Sequence, residues 1–98
     1  LTHLNQLDID FLKIDRDFIR TIQSDTNNMV LCNAIIVMAH TLGLKVIAEG
    51  VETLEQQELL RQANCDYVQG FYYVKAMTAD EFEHWYLELS ERKTALAN

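Results

Sequence analysis

Lys45-Val46-Ile47-Ala48-Glu49-Gly50-Val51-Glu52-Thr53 decides how this chain is read. Val46–Ala48 is a short apolar run of the kind that forms a strand buried in a sheet. Glu49 and Glu52 follow at once, with Gly50 between them. Thr53-Leu54-Glu55-Gln56 is then a Thr-x-x-Gln capping box that opens a helix. An acid just past a buried strand sits at the carboxyl edge of a sheet, where α/β folds bind ligands and place their chemistry. Phe11-Leu12-Lys13-Ile14-Asp15 repeats the gesture. Its Lys13 and Asp15 share one face of the pleat because side chains alternate along a strand. Tyr67-Val68-Gln69-Gly70 ends a third strand in a polar residue and a glycine. Three strand ends therefore offer Lys13, Asp15, Glu49, Glu52 and Gln69 to one rim.

Helical patterns fill the spaces between these strands. Leu1, Leu4 and Leu7 have the spacing of a helix tail. Asp15–Ile19 reads as a helical turn and Ser24-Asp25-Thr26-Asn27-Asn28 as a break with capping residues. Met29, Val30, Ala34, Ile35, Val37, Met38 and Leu42 mark a long helix that Gly43 ends at C′. The helix opened by Thr53 runs to about Gln62, with Leu54, Leu59 and Leu60 on its inner stripe. Tyr72–Ala76 reads as a loop or short extension. Thr78-Ala79-Asp80-Glu81 is a second capping box, opening a last helix whose apolar face is Phe82, Trp85, Tyr86 and Leu89; the tail after Ser90 is polar. Strand–helix units in succession predict an α/β fold with a parallel sheet and right-handed crossovers. A closed barrel of eight such units needs roughly 250 residues. The 98 residues are therefore expected to form a partial TIM-type barrel, three consecutive β-α units with parallel strands and no second domain. No proline or other linker signal interrupts them.

Composition narrows the functional classes. Hydrophobic residues make up 49% of the chain, which argues against disorder. Eight basic and fifteen acidic residues give a formal charge of −7, and no basic block appears. Charge-driven binding of a DNA or RNA duplex is thereby excluded. An acidic protein still binds an anionic substrate when hard cations such as Mg²⁺ sit between carboxylates and ligand. Cys32 and Cys65 lie too far apart for a CxxC motif and are expected to be two reduced thiols of a cytosolic protein. The sequence contains no signal peptide and no apolar run long enough to span a bilayer. A cytoplasmic location without direct membrane contact is expected, and an anchor elsewhere in a longer parent is compatible with it.

Each rim residue has a plain reading beside the chemical one. Glu49 reads as a helix N-terminal acid favoured by the macrodipole, yet it lies before the cap at Thr53, outside the first turn, which favours chemistry. Glu52, at N′, is equally well explained as an acid that orders the turn. Lys13 sits among apolar neighbours, where a lysine is costly unless paired. A salt bridge to Asp15 or Glu49 and the orientation of a nucleophilic water are compatible roles for it. Asp15 reads as a support for Lys13 or a cap on the next turn. Gln69 either bonds to backbone or contacts substrate, which the adjacent Gly70 lets approach closely. His3, His40 and His84 have no metal-ligand spacing and read as surface or interface residues. Tyr72, Tyr73, Trp85 and Tyr86 read as packing beneath the rim ahead of stacking on a base.

Taken together, Leu12-Lys13-Ile14-Asp15-Arg16, Leu42-Gly43-Leu44, Ala48-Glu49-Gly50-Val51-Glu52-Thr53 with Glu55 and Gln56, and Cys65-Asp66-Tyr67-Val68-Gln69-Gly70-Phe71 resemble the C-terminal portion of an EAL domain. That family is the bacterial phosphodiesterase that linearises cyclic di-GMP. The spacing between the blocks is also as in the family, and the likeness runs to about Trp85. Any one block alone is weak; together they are specific.

The resemblance implies a TIM-type barrel with Mg²⁺ or Mn²⁺ at its C-terminal face, two ions in the complete domain. It implies that Lys13, Glu49 and Glu52 are catalytic. Lys13 lies beside the attacking water, Glu49 is a metal ligand or general base, and Glu52 supports the site. Gln69 and Gly70 hold substrate, and Asp15 is supporting. The implied activity is hydrolysis of cyclic di-GMP to linear pGpG in second-messenger signalling. The implied partners are cyclic di-GMP, the rest of the barrel and a homo-oligomeric copy. The helix after the first strand joins a dimer interface in that picture. The location implied is the cytoplasm, including the cytoplasmic part of a membrane-anchored sensor. The family's Glu-Ala-Leu signature, its metal-binding Asn and Glu, and its Asp-Asp-Phe-Gly loop are absent from these residues, so the 98-residue chain alone is expected to be inactive. The family's Lys-Pro reads Lys75-Ala76 here, which leaves that loop less constrained. An inactive receptor for the dinucleotide, or a protein-interaction module, is the alternative.

Overall fold

The computed structural model describes residues 10–70 and 76–97. The expected helical tail at Leu1–Leu7, His3, and the loop with Tyr72, Tyr73 and Lys75 lie outside these residues. In chain order the elements are β1 (Phe11–Ile14), α1 (Arg16–Ile19), α2 (Thr26–Thr41), β2 (Lys45–Val51), α3 (Leu54–Gln62), β3 (Tyr67–Gly70) and α4 (Ala79–Ala97). The strands form one sheet in the order β1-β2-β3, both pairings parallel. The expected succession of β-α units is present.

Local chemistry explains the helix boundaries. Asp25 caps α2 by accepting from the N–H groups of Asn27 (2.9 Å) and Asn28 (3.3 Å). At the other end Gly43, at φ +79°, donates to His40 O (3.0 Å), and Leu44 N–H donates to Ala39 O (2.9 Å). Those two bonds are a Schellman closure. Asn64, at φ +64°, closes α3 the same way, with Asn64 N–H to Arg61 O and Cys65 N–H to Leu60 O, both 3.0 Å. Both capping boxes form. Thr53 accepts from Gln56 N–H at 3.1 Å, and the Thr78–Glu81 box closes at 3.0 and 3.2 Å.

The core lies on one face of the sheet. Ile14, Val46, Ala48 and Val68 point into it and meet Ile19, Ile22, Cys32, Ile36, Ala39, Leu60 and Phe82 from the helices. Phe82, fully buried, meets Trp85 in a tilted pair and stacks with Tyr86, at ring centroid distances of 5.6 and 6.1 Å. Trp85 and Tyr86 pack against the core from the apolar face of α4, the face that the pattern marked.

The long apolar pattern of α2 marks a helix, as read, and the structure adds which side faces inward. Cys32, Ile36 and Ala39 are its buried residues, whereas Val30, Leu31, Val37, Met38 and Leu42 are exposed. The helix is apolar on nearly all sides, so periodicity in its sequence does not single out the inner face. The second strand, read as Val46–Ala48, runs from Lys45 to Val51. Glu49 therefore lies inside the strand and not beyond it. Gly50, at φ +71°, forms an irregularity between Glu49 and Val51, after which pairing resumes. A glycine bulge of this kind absorbs one extra residue and re-aims its neighbours.

Candidate functional site

Alternation along the strands sorts the side chains into two faces. With Ile14, Val46, Ala48 and Val68 turned toward the helices, Phe11, Lys13, Ile47, Glu49, Tyr67 and Gln69 fall on the other. No described helix covers that face. The register then fixes the neighbours. Lys13 lies opposite Ile47, Ile47 opposite Tyr67, and Glu49 opposite Gln69. Glu49 and Gln69 thus form one layer at the carboxyl ends of the strands, with Lys13 one layer below on the adjacent strand. Phe11 and Tyr67 form a tilted aromatic pair further down, 6.1 Å between centroids. Lys13, Glu49 and Gln69 share one end of one face; they are not scattered.

The supporting residues are placed differently. Asp15 precedes α1 and makes no side-chain cap; its carbonyl accepts from Phe18 and Ile19 N–H, both at 3.1 Å. Among the described residues no ion pair joins Lys13 to Asp15 or Glu49. Glu52 lies beyond the bulge and pairs with Arg20, Nε to Oε1 3.5 Å. Its own N–H donates to Gln56 Oε1 at 2.8 Å, within the capping box of α3. Gly70 is buried at the end of β3, paired with Val51.

Sequence reasoning missed a second polar cluster, at the opposite end of the strands. Asp66 Oδ2 sits 2.7 Å from His40 Nε2 and accepts from Val46 N–H at 2.8 Å, while Lys45 Nζ lies 3.8 Å from Oδ1. Burial works to raise the Asp66 pKa, but the His40 hydrogen bond, the Val46 N–H and the charges of His40 and Lys45 outweigh it and hold the carboxyl below its ordinary range. The topology carried a signal for this cluster. In a β-α succession the C-terminus of a helix returns to the level where the next strands begin. Both cysteines are free thiols. Burial pushes Cys32 up to about 11 and Cys65 up to about 12, so neither offers a thiolate at neutral pH.

No three His, Cys, Asp or Glu residues converge into a metal site among the described residues. The Glu49 side chain is a hard carboxylate of the type Mg²⁺ and Mn²⁺ favour, and no such group forms around it among the described residues. No described helix is long and apolar enough to cross a membrane.

Comparison with known proteins follows the same line. A family model described as the EAL domain matches residues 1–76. The signaling protein YkoW of Bacillus subtilis is 41% identical over 88 residues, which cover 90% of this chain and 11% of YkoW. The cyclic di-GMP phosphodiesterase NbdA of Pseudomonas aeruginosa is 41% identical over 85 residues, 87% of this chain and 11% of NbdA. Among solved structures, the manganese and cyclic di-GMP complex of Klebsiella pneumoniae BlrP1 is similar at a TM-score of 0.61 and 28% identity, over 81% of this chain and 20% of that one. The chain thus spans about a ninth of the length of the two sequence relatives. With EAL structures as neighbours, the open three-stranded parallel sheet is an arc of a TIM-type barrel.

Proposed function

The chain belongs to the EAL domain family, and from that membership we propose that it supplies the C-terminal arc of a metal-dependent phosphodiesterase that hydrolyses cyclic di-GMP to linear pGpG. The supporting observation is the layer formed by Glu49 and Gln69 with Lys13 beside it on the uncovered face. In this reading Glu49 is a ligand to Mg²⁺ or Mn²⁺ and the acceptor for a proton from water. Two such ions, held in a complete barrel, would supply an activated water and offset charge on the phosphoryl oxygens. The Lys13 ammonium holds the attacking water in line, and its charge favours the oxyanionic transition state. Gln69 donates to the substrate, and Gly70 leaves room for it against the sheet. Asp15 and Glu52 hold the rim in place.

The remaining strands of the barrel must complete the metal set, so the 98 residues alone do not turn over substrate in this proposal. The exposed apolar side of α2 is assigned to a second copy, which makes the assembly a homo-oligomer, and the reaction is placed in the cytoplasm. The experiment is an assay of the full-length protein that carries this segment, with cyclic di-GMP and Mn²⁺. Release of pGpG, lost in Glu49→Gln, is the expected result. Unchanged substrate with metal bound overturns the proposal, and tight binding of the dinucleotide without turnover identifies a receptor instead.

A further inference from the structure

The turn that carries Glu52 out of β2, just beyond the strand position of Glu49, is gripped at successive points by the short segment between β1 and α2. We infer that this segment, through Arg20 and Gln23, is the positioning device for Glu52 and for the strand end that holds Glu49. The inference rests on the hydrolase reading of the rim.

The grip begins at the backbone. A Cβ on Gly50 would lie 2.3 Å from Arg16 Cβ and 3.2 Å from Arg16 Cα, so the first residue of α1 lies directly against the bulge. One turn later Arg20 Nε reaches Glu52 Oε1 at 3.5 Å. Gln23 then spends both ends of its amide on the same loop. Its Nε2 donates to Glu55 Oε2, and its Oε1 accepts from Thr53 Oγ1 at 3.2 Å. Contacts from residues 16–23 thus fall on Gly50, Glu52, Thr53 and Glu55.

The brace is rooted at its other end. Ile19 and Ile22 are buried in the core at 0% and 2% exposure. Thr21 Oγ1 accepts from Asn28 Nδ2 at 2.8 Å, which ties the segment to the first turn of α2. A rigid core therefore connects through α1 to the loop that aims the rim acids.

Stability is a poor explanation for the outer contacts. The Arg20 and Glu52 side chains are each about half exposed, and such pairs contribute little to folding. Direction is the better explanation. A bulged strand end with a glycine at positive φ has several ways to leave the sheet, and Arg20 and Gln23 select one. Reacting groups lose large factors in rate when displaced by about an ångström.

The test uses the full-length protein. Arg20→Met is expected to lower kcat about tenfold at nearly constant KM, the pattern of lost transition-state alignment. Arg20→Lys, which keeps the charge, is expected to recover most of that loss, which a role in folding alone would not produce. Hydrogen exchange at residues 50–56 is expected to quicken in Arg20→Met with Gln23→Ala, while the Val46 and Val68 amides keep their rates. Unchanged exchange in this loop overturns the brace. Faster exchange with wild-type kcat overturns its positioning role. If the wild-type protein itself leaves cyclic di-GMP intact, the hydrolase reading fails, the positioning role falls with it, and exchange alone decides whether the brace exists.

Discussion

A methyl group added at Gly43 and at Gly50 meets very different surroundings, although both glycines have positive φ. At Gly43 nothing lies within 4 Å, so Gly43→Ala carries only the left-handed backbone strain of roughly 1–2 kcal/mol. At Gly50 the same strain is joined by the clash with Arg16, whose Cβ and Cα cannot swing away as a side-chain tip would. Overpacking adds roughly 1–3 kcal/mol, so Gly50→Ala is expected to be the more damaging of the two by about that amount in urea midpoints. Equal losses would mean that Arg16 does not press on the bulge in solution. Asp66 makes the second prediction at this scale. Its carboxyl is held below the ordinary carboxylate range, so the folded form favours the charged state more than the unfolded chain does. The resulting stability is fully present above the unfolded pKa and disappears as pH falls through the folded one. Asp66→Asn is therefore expected to cost about 1–3 kcal/mol near neutrality, with the gap to wild type closing below about pH 4. A gap that persists into acid would assign the cost to shape and not to charge.

An arginine carries the ion pairs that link the last helix to its neighbour, beside the Gln57 Nε2 donation to Ala79 O at 3.2 Å. Arg61 of α3 reaches Asp80 and Glu83 of α4, both at 2.7 Å, and its Nε lies 3.2 Å from Glu58. That last contact has the distance of an ion pair without the angle of a hydrogen bond. Arg61→Met leaves Glu58, Asp80 and Glu83 facing one another. Because Arg61 is 38% exposed, the expected loss is discounted to about 1 kcal/mol, shrinking in 1 M salt. Phe82→Ala, which empties a fully buried site on α4, is expected to cost roughly 3–5 kcal/mol whatever the salt. Thermal melts at two salt concentrations separate the two; a salt-independent Arg61 effect would show packing and not charge at work. The elements differ in how plainly their sequences announced them. Both capping boxes are local patterns of four residues, and both form as read. The bulge at Gly50 was harder, because a glycine after Ala48-Glu49 reads equally as the end of a strand or a kink within it. Only pairing with β3 decides that. Which side of α2 faces inward was illegible for a similar reason, since apolar residues surround its axis. Asn64 ends α3 where glycine is usual, so its signal was faint. The rim residues Lys13, Glu49 and Gln69 were legible as neighbours because each stands near the carboxyl end of a strand in a repeated β-α unit. The Arg20 and Gln23 contacts were not, since they join exposed side chains 32 and 30 residues apart in sequence.

The whole molecule leaves association-prone surface in three places. The uncovered face of the sheet carries Phe11, Ile47 and Tyr67 around the rim residues, and α2 turns Val30, Val37, Met38 and Leu42 outward at 58–71% exposure. The third place is a sheet edge. An open three-stranded sheet has two edges, and Met77 pairs antiparallel with Val68 through two bonds of 2.6 Å and closes part of the β3 side. Among the described residues the outer edge of β1 has no such cover. Exposed apolar patches and open strand edges both drive association. The charge of −7 opposes it, because like-charged copies repel at long range. The 98-residue chain is therefore expected to self-associate, more strongly in 0.5 M salt, where the Debye length falls to about 4–5 Å and the apolar contacts persist. Val37→Asp tests which surface is responsible. If α2 is the contact, that single charge shifts the association to higher concentration, whereas contact through the open sheet leaves it unmoved and Ile47→Asp acts instead. Sedimentation that finds a compact monomer at high concentration and high salt would sink the prediction. It would mean that the open arc covers its own rim, which leaves no room for the substrate that Lys13, Glu49 and Gln69 are proposed to meet.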